Sequence, residues 1–305
     1  MSTYIGIEGG GTSTRIMVQH DTGTPQYFEE KRSFKVRNRN FAESAEILHG
    51  ILSRLLSDSL ENISAIAIGL SGMSQTEDQE ALKQAIHNYL DLAHVMLHVE
   101  SDATLTFASV AHPGEPAILL IAGTGSVIFY QPYGGEPRRI GGWGPTLSDE
   151  GSGYRIGLRA LRHYIHVLDG IAPPDVLSGS IANRLPLLVR EDRLAISQLV
   201  NQDPSFVASL ARDVLEAGID PSNDRDVLRD EFIELILMII PLLSPNVMNC
   251  PKPYRLYLSG SIAKHWLTIE ALTIGLGETD VEYIPVEDHV PSMRALYLSH
   301  TLMSI

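Results

Sequence analysis

The stretch Ile5-Gly-Ile-Glu-Gly-Gly-Gly-Thr-Ser-Thr-Arg-Ile16 decides the reading of this chain, because its partner recurs at Ile118-Leu-Leu-Ile-Ala-Gly-Thr-Gly-Ser-Val-Ile128. Each is an apolar run, a glycine turn with a hydroxyl residue, and a second apolar run. That pattern predicts a β-hairpin whose tip exposes backbone N–H groups with no Cβ in the way. Such a tip can cradle phosphate oxygens through amide donors and a threonine hydroxyl. Two of them, each opening a domain-sized segment, point to a duplicated fold closing on a nucleotide from both sides.

Outward from the first tip, strands are predicted over Tyr4–Ile7, Thr14–His20 and Gln26–Lys31, then a helix near Ala42–Ser57. A strand at Ala65–Leu70, a helix near Thr76–Tyr89 and a strand at Val95–Val99 follow. The pattern then restarts, with strands at Ala117–Ile121, Ser126–Tyr130 and Arg138–Ile140 and a helix near Ser152–His166. Later come a strand at Arg255–Leu258, a helix near Ile262–Ile274, a strand at Val281–Ile284 and a last helix near Ser292–Met303. The expected class is α/β, with two lobes of βββαβαβα order over 1–115 and 116–287. The second lobe carries a helical insertion at about 174–243, and the C-terminal helix over 288–305 is expected to pack back on the first. The turn cluster Ala111-His-Pro-Gly-Glu-Pro116 marks the boundary.

Composition narrows the partners. The 305 residues are 44% hydrophobic, enough to fill one large or two medium cores. Lys+Arg 23 against Asp+Glu 37 gives a net charge of -14, which argues against nucleic acid, whose backbone asks for a concentrated positive surface. An acidic protein can still bind a nucleotide, because local amides and a divalent cation supply the positive charge. No signal-like N-terminal pattern and no apolar stretch near the roughly 20 residues of a membrane span are present. The single cysteine, Cys250, excludes an intramolecular disulfide and any cysteine-rich zinc or iron–sulfur site within one chain. A reduced cytoplasmic enzyme fits these bounds, with neither membrane nor nucleic acid as partner.

Five segments carry candidate chemistry. Glu8 ends a strand at the first tip, where a carboxylate would repel phosphate unless a divalent cation lay between; magnesium held through water resolves that conflict. In Val99-Glu-Ser-Asp-Ala103, Asp102 stands at a strand–helix junction. It is either a helix N-cap or a general base that takes a proton from a substrate hydroxyl attacking phosphorus. Gly123-Thr-Gly125 is the second tip. Gly141-Gly-Trp-Gly-Pro-Thr-Leu-Ser-Asp-Glu-Gly-Ser-Gly153 is too rich in glycine and polar residues for core, and its Asp149-Glu150 pair could bind sugar hydroxyls with Trp143 packing nearby. Leu258-Ser-Gly-Ser-Ile-Ala263 runs a strand into a helix through small residues, which lets a flat adenine approach the backbone and the helix N-terminus. His98, His163, His166 and His265 form no convincing ligand set.

Taken in order, Gly9-Gly-Gly-Thr12, Ser71-Gly72, Ser101-Asp102-Ala103, Ala122-Gly-Thr-Gly-Ser126, Gly141-Gly-Trp-Gly-Pro145 through Asp149-Glu-Gly-Ser-Gly153, and Ser259-Gly-Ser-Ile-Ala263 resemble the N-acetylglucosamine kinase / glucosamine kinase family. That family belongs to the sugar kinase–actin–Hsp70 superfamily, and the likeness covers nearly the whole chain. It implies two RNase H-like lobes with an ATP and sugar cleft between them. By the same carry-over, Gly10, Gly11 and Thr12 with Gly123, Thr124 and Gly125 would hold the ATP phosphates, and Gly260 with Ser261 would face the adenosine. Asp102 would be the base, Glu8 would hold Mg²⁺ through water, and Asn40 (or its neighbour Asn38), Ser71, Asp102 and Asp149 would contact the sugar. The implied reaction is ATP-dependent phosphorylation of an amino-sugar, N-acetylglucosamine or glucosamine, at the 6-hydroxyl. Dimers are common among similar kinases, which puts a homodimer among the expectations.

Three residues depart from the family pattern: Glu8 in place of Asp, Arg294 ahead of Ala295 in place of Gly, and Ser259-Gly-Ser261 in place of a double glycine. Rival readings stay open beside the kinase. One is a non-catalytic sugar or nucleotide sensor derived from such a kinase, which Glu8 and Arg294 would favour. Another is an ATPase activator of the 2-hydroxyacyl-CoA dehydratase type, disfavoured because each such subunit supplies two cysteines to a bridging cluster. A repressor–open reading frame–kinase type protein is disfavoured by the lack of a helix-turn-helix extension and of a cysteine-rich zinc motif.

Overall fold

A computed structural model gives the fold, and it describes residues 2–9, 13–21, 23–31, 34, 36, 39–56, 60–73, 75–90, 94–218 and 227–302. The chain divides into two units, Met1–Val110 with Glu287–Ile305, and Ala111–Val286. Among the described residues no helix is long and apolar enough to cross a membrane.

The first unit runs β1 (Thr3–Gly9), β2 (Thr14–His20), β3 (Gln26–Glu30), α1 (Phe41–Leu56), β4 (Ile63–Leu70), α2 (Thr76–Leu90), β5 (Met96–Ser101) and α3 (Asp102–Val110). The second runs β6 (Ala117–Ala122), β7 (Ser126–Gln131), β8 (Arg138–Gly141) and α4 (Gly153–Leu168). There follow α5 (Val176–Arg184), α6 (Arg193–Gln202), α7 (Pro204–Ser209), α8 (Ala211–Ala217), α9 (Val227–Ile239) and α10 (Pro245–Met248). β9 (Tyr254–Ser259), α11 (Trp266–Leu276) and β10 (Val281–Pro285) complete this unit, and α12 (Val290–Leu302) belongs to the first.

The two sheets have the same plan. The order is β3-β2-β1-β4-β5 in one and β10-β9-β6-β7-β8 in the other. In each, an antiparallel hairpin supplies the central strand (β1 with β2, β6 with β7), and parallel strands extend the sheet from it (β4 and β5, β9 and β10). Parallel strands are buried on both faces and read as continuous apolar runs. That is the pattern of Ile63–Leu70 and Ala117–Ala122, each almost wholly buried. In the first unit, Ile5, Ile7, Ile66 and Ile68 pack with Leu48, Ile51 and Leu52 of α1, whose buried positions recur at helical spacing. In the second, Ile118, Leu120, Leu256 and Leu258 pack with Ile156, Ala160 and Leu161 of α4 and with the helices that follow it.

Several element ends differ from the sequence reading, three of them as follows. β1 runs on to Gly9, because Gly9 still pairs with Thr14 and with Leu70. α11 begins at Trp266 rather than Ile262. The Ile262 and Ala263 amides both donate to the Ala122 carbonyl, and His265, not a small residue, accepts from Leu267 N as the cap. The C-terminal helix begins at Val290.

α12 packs on β1 at a distance that only glycine permits. A Cβ on Gly6 would lie 2.1 Å from the Leu296 amide nitrogen and 2.5 Å from the Ser292 carbonyl oxygen. Both are backbone atoms of a helix anchored by buried Ala295 and Leu296. Gly6→Ala is therefore expected to destabilise the first unit by about 3 kcal/mol. Urea denaturation checks it: an unchanged midpoint would mean that α12 shifts freely on β1.

Candidate functional site

In open α/β sheets, ligand-binding groups gather at the carboxyl ends of parallel strands. In the first unit that edge holds Glu8 and Gly9 at the end of β1, Ser71 after β4, and Asp102 after β5. The register sets them side by side: Gly9 is opposite Leu70, and Leu70 is opposite Ser101. The Ser71 amide donates to the Gly9 carbonyl at 3.3 Å, and Gly72 turns the chain at φ +85°.

The helix cap at this edge is Ser101. Its Oγ accepts from the Thr104 amide at 3.0 Å and bonds the Thr104 hydroxyl at 2.7 Å. The Asp102 carboxylate is thus released from the capping role that sequence allowed it; its Oδ1 accepts the adjacent Ala103 amide, at 2.8 Å. Burial raises the Asp102 pKa above its ordinary value, opposed by hydrogen bonds from the Ala103 amide and its own. Burial also raises Glu8, whose side chain is ion-paired to Arg15 through Oε2 at 3.2 Å; that pair opposes the rise, while the charges of Asp102 and Asp288 add to it. Arg15 also lies 3.7 Å from Glu29 and 3.7 Å from Asp288.

Asn40 opens α1. Its Oδ1 accepts from the Glu43 amide at 3.3 Å and its Nδ2 donates to the Glu43 carboxylate at 3.0 Å. Gly10, Gly11, Thr12 and Asn38 lie outside the described residues.

The second unit assembles a different group. The carbonyls of its turn all face inward: Gly123 O accepts from Gly153 N at 2.7 Å and Thr124 O from Tyr154 N at 3.1 Å. These are the first amides of α4, so that helix's N-terminus is engaged by the turn. Among the described residues no hydrogen bond takes up the amides of Thr124 and Gly125. Gly260, at φ +91°, closes on the same turn, since a Cβ there would lie 2.4 Å from the Ala122 carbonyl oxygen. Ser261 beside it is exposed.

Asp149 joins this cluster as well. It is 6% exposed, at φ +68°, and a Cβ on Gly125 would meet its Oδ2 at 2.8 Å. Burial raises its pKa, with amide hydrogen bonds from Gly144 and Ser126 working against that and Glu150 adding to it. Ser126 Oγ donates to the Glu150 carbonyl at 2.7 Å, tying loop to turn. Trp143 of the same loop is 74% exposed, with the Arg139 guanidinium 5.9 Å from its ring centre. Arg294, the departure in α12, lies 5.2 Å over the Tyr297 ring of its own helix.

Sequence reasoning missed Arg15 and Ser101. Counting the hairpin would have found Arg15, because Glu8 and Arg15 face each other directly in the β1–β2 register.

Two sheets of one plan, each led by a glycine hairpin, define the two-lobed fold of sugar kinases, actin and Hsp70. The chain belongs to the BadF/BadG/BcrA/BcrD ATPase family, whose model matches residues 5–294. An N-acetylmuramic acid/N-acetylglucosamine kinase from Clostridium acetobutylicum is 30% identical over 247 residues, 78% of this chain and 78% of its own length. A solved structure from Chromobacterium violaceum, described as a candidate N-acetylglucosamine kinase, is 25% identical with a TM-score of 0.70, over 98% of this chain and 99% of that one. A ROK family glucokinase from Streptomyces griseus, solved with glucose and AMPPNP, shares the fold at 14% identity and a TM-score of 0.55, over 98% of this chain and 100% of that one.

The division of labour between Ser101 and Asp102 makes a stability prediction. A carboxyl whose folded pKa is raised favours folding below its unfolded value, and that contribution is lost as pH rises through the folded value. Asp102→Asn is therefore expected to be at least as stable as the parent at pH 7. Ser101→Ala is expected to lose about 1 kcal/mol of cap energy. Thermal melts of the two variants should fall on opposite sides of the parent. A loss in Asp102→Ala larger than that in Ser101→Ala would assign the cap to Asp102.

Proposed function

We propose that the protein is a cytoplasmic ATP:amino-sugar phosphotransferase that phosphorylates N-acetylglucosamine, glucosamine or a close relative at the 6-hydroxyl. The observation that carries this reading is Asp102: a desolvated carboxylate, freed from capping by Ser101, at the edge where β1, β4 and β5 end. Burial with no cationic partner among the described residues raises its affinity for a proton, which suits a general base for an alcohol. Family membership and the named activities of the relatives favour the same chemistry.

In this reading Asp102 orients the sugar hydroxyl and accepts its proton as the oxygen attacks the γ-phosphorus. Ser71 and Asp149 hold further sugar hydroxyls, as does Asn40, whose side chain also caps α1. The amides of Thr124 and Gly125, with Gly123 and the first tip at Gly10, Gly11 and Thr12, receive the phosphate oxygens. Gly260 and Ser261 face the adenosine, and the close approach of Gly260 to Ala122 keeps that surface free of side-chain bulk. Glu8 fits a hydrated magnesium ion: it offers a hard, buried oxygen, while the Arg15 ion pair on Oε2 disfavours direct coordination. Magnesium, when bound, supplies neutralisation of charge on the transferred phosphoryl group.

The Arg15–Glu8 pair also favours a second reading, a sensor derived from such a kinase, in which Glu8 is held by Arg15 and no turnover follows. Steady-state ADP release with ATP and Mg²⁺ against a hexose panel separates the two. The kinase reading expects sugar-dependent turnover that falls about 10²- to 10⁴-fold in Asp102→Asn. Because the base acts ionised, activity should rise with pH, and the raised Asp102 pKa sets that rise above the ordinary 3.8. Sugar binding without turnover in the parent would establish the sensor.

A further inference from the structure

Glu231 is a carboxylate inside a core. It stands on α9 among Leu228, Phe232, Leu235 and Ile239, all buried, and its side chain is 1% exposed. Burying a charge there is costly unless partners replace its lost hydration. The partners come from two sources. From α4, Arg155 Nε lies 3.4 Å from Oε2, and Arg159 Nε donates to Oε1. Both arginines continue outward to half-exposed acids, with Arg155 reaching Glu234 at 2.9 Å and Arg159 reaching Glu234 and Asp230 at 3.2 Å each.

The remaining partner is of another kind. The Gly151 amide donates to Glu231 Oε2 at 3.2 Å. Two arginines would satisfy a structural carboxylate without it, and Gly151 lies on neither helix. It lies in the loop that carries Asp149 and Glu150 and leads into the Ser152 cap of α4. Asp149 and Gly151 both hold positive φ, at +68° and +71°, so this stretch is conformationally demanding. It is seated on α9 so closely that a Cβ on Gly151 would lie 2.9 Å from Leu235 Cδ2.

We propose that Glu231 is a positioning residue for the transfer reaction: through the Gly151 amide it holds the Asp149–Gly153 loop, so that the helical insertion sets where Asp149 meets the acceptor sugar. This rests on the reading of Asp149 as a sugar contact. The turn at Gly123–Gly125 joins the same loop, through Gly153 N on the Gly123 carbonyl and Ser126 Oγ on the Glu150 carbonyl, and is held further by Tyr154 N of α4 on the Thr124 carbonyl. Glu231 therefore acts first on the acceptor contact at Asp149, and on the turn only through that loop.

Two variants separate positioning from packing. Glu231→Asp keeps the charge, which the long arginine side chains can follow, but withdraws the oxygen from the Gly151 amide. Glu231→Gln keeps an acceptor for that amide and loses the charge that pairs with the arginines. Glu231→Asp should melt close to the parent while its acceptor KM rises at least tenfold, and by more than its ATP KM. Glu231→Gln should melt lower with an acceptor KM nearer the parent's. A structural role alone would move stability and KM together, and an unchanged acceptor KM in Glu231→Asp overturns the inference even if Glu231→Gln fails to fold. A parent protein without sugar-dependent turnover overturns the kinase reading itself, and this inference with it.

Discussion

The carbonyls of the Ala122–Thr124 turn are held by segments distant in sequence while the Thr124 and Gly125 amides stay unengaged among the described residues, and the second lobe is organised around that constraint. The Ala122 carbonyl takes the amides of Ile262 and Ala263, and those of Gly123 and Thr124 take the opening amides of α4. Two segments distant in sequence, Ile262–Ala263 and the start of α4, are thereby locked onto one hairpin. Gly260 is required at its position by the same closeness, since any side chain would collide with Ala122.

The first lobe meets a different demand, keeping a carboxylate dehydrated yet chemically free. Ser101 supplies the cap that an aspartate in that place would otherwise supply, and Arg15 neutralises the neighbouring Glu8. An acid whose hydrogen bonds come only from local amides keeps a raised proton affinity, whereas one ion-paired to arginine has part of its rise cancelled. The two acids at this edge thus differ in their partners and in how far their proton affinity is raised.

The sheet plan was legible because each hairpin announces itself twice, by apolar alternation and by glycine at the turn. Parallel strands such as Ile63–Leu70 were legible as unbroken apolar runs. The cap at Asp102 was ambiguous since Ser101 and Asp102 are both good N-caps, and only geometry decides which side chain turns back. Arg15 follows from register, once the hairpin centre is fixed. Glu231 was hidden for a physical reason: its partners lie on another helix and in a remote loop, and no periodicity within α9 encodes them.

The central claim is that this edge directs a sugar hydroxyl at phosphorus, and the position of the transferred phosphate tests it most directly. Phosphorus–proton correlation NMR of the product formed from ATP, Mg²⁺ and N-acetylglucosamine or glucosamine identifies the acceptor oxygen. The account predicts a single phosphate coupled to the two protons on C6. A phosphate on another carbon, or inorganic phosphate as the sole product, would contradict it.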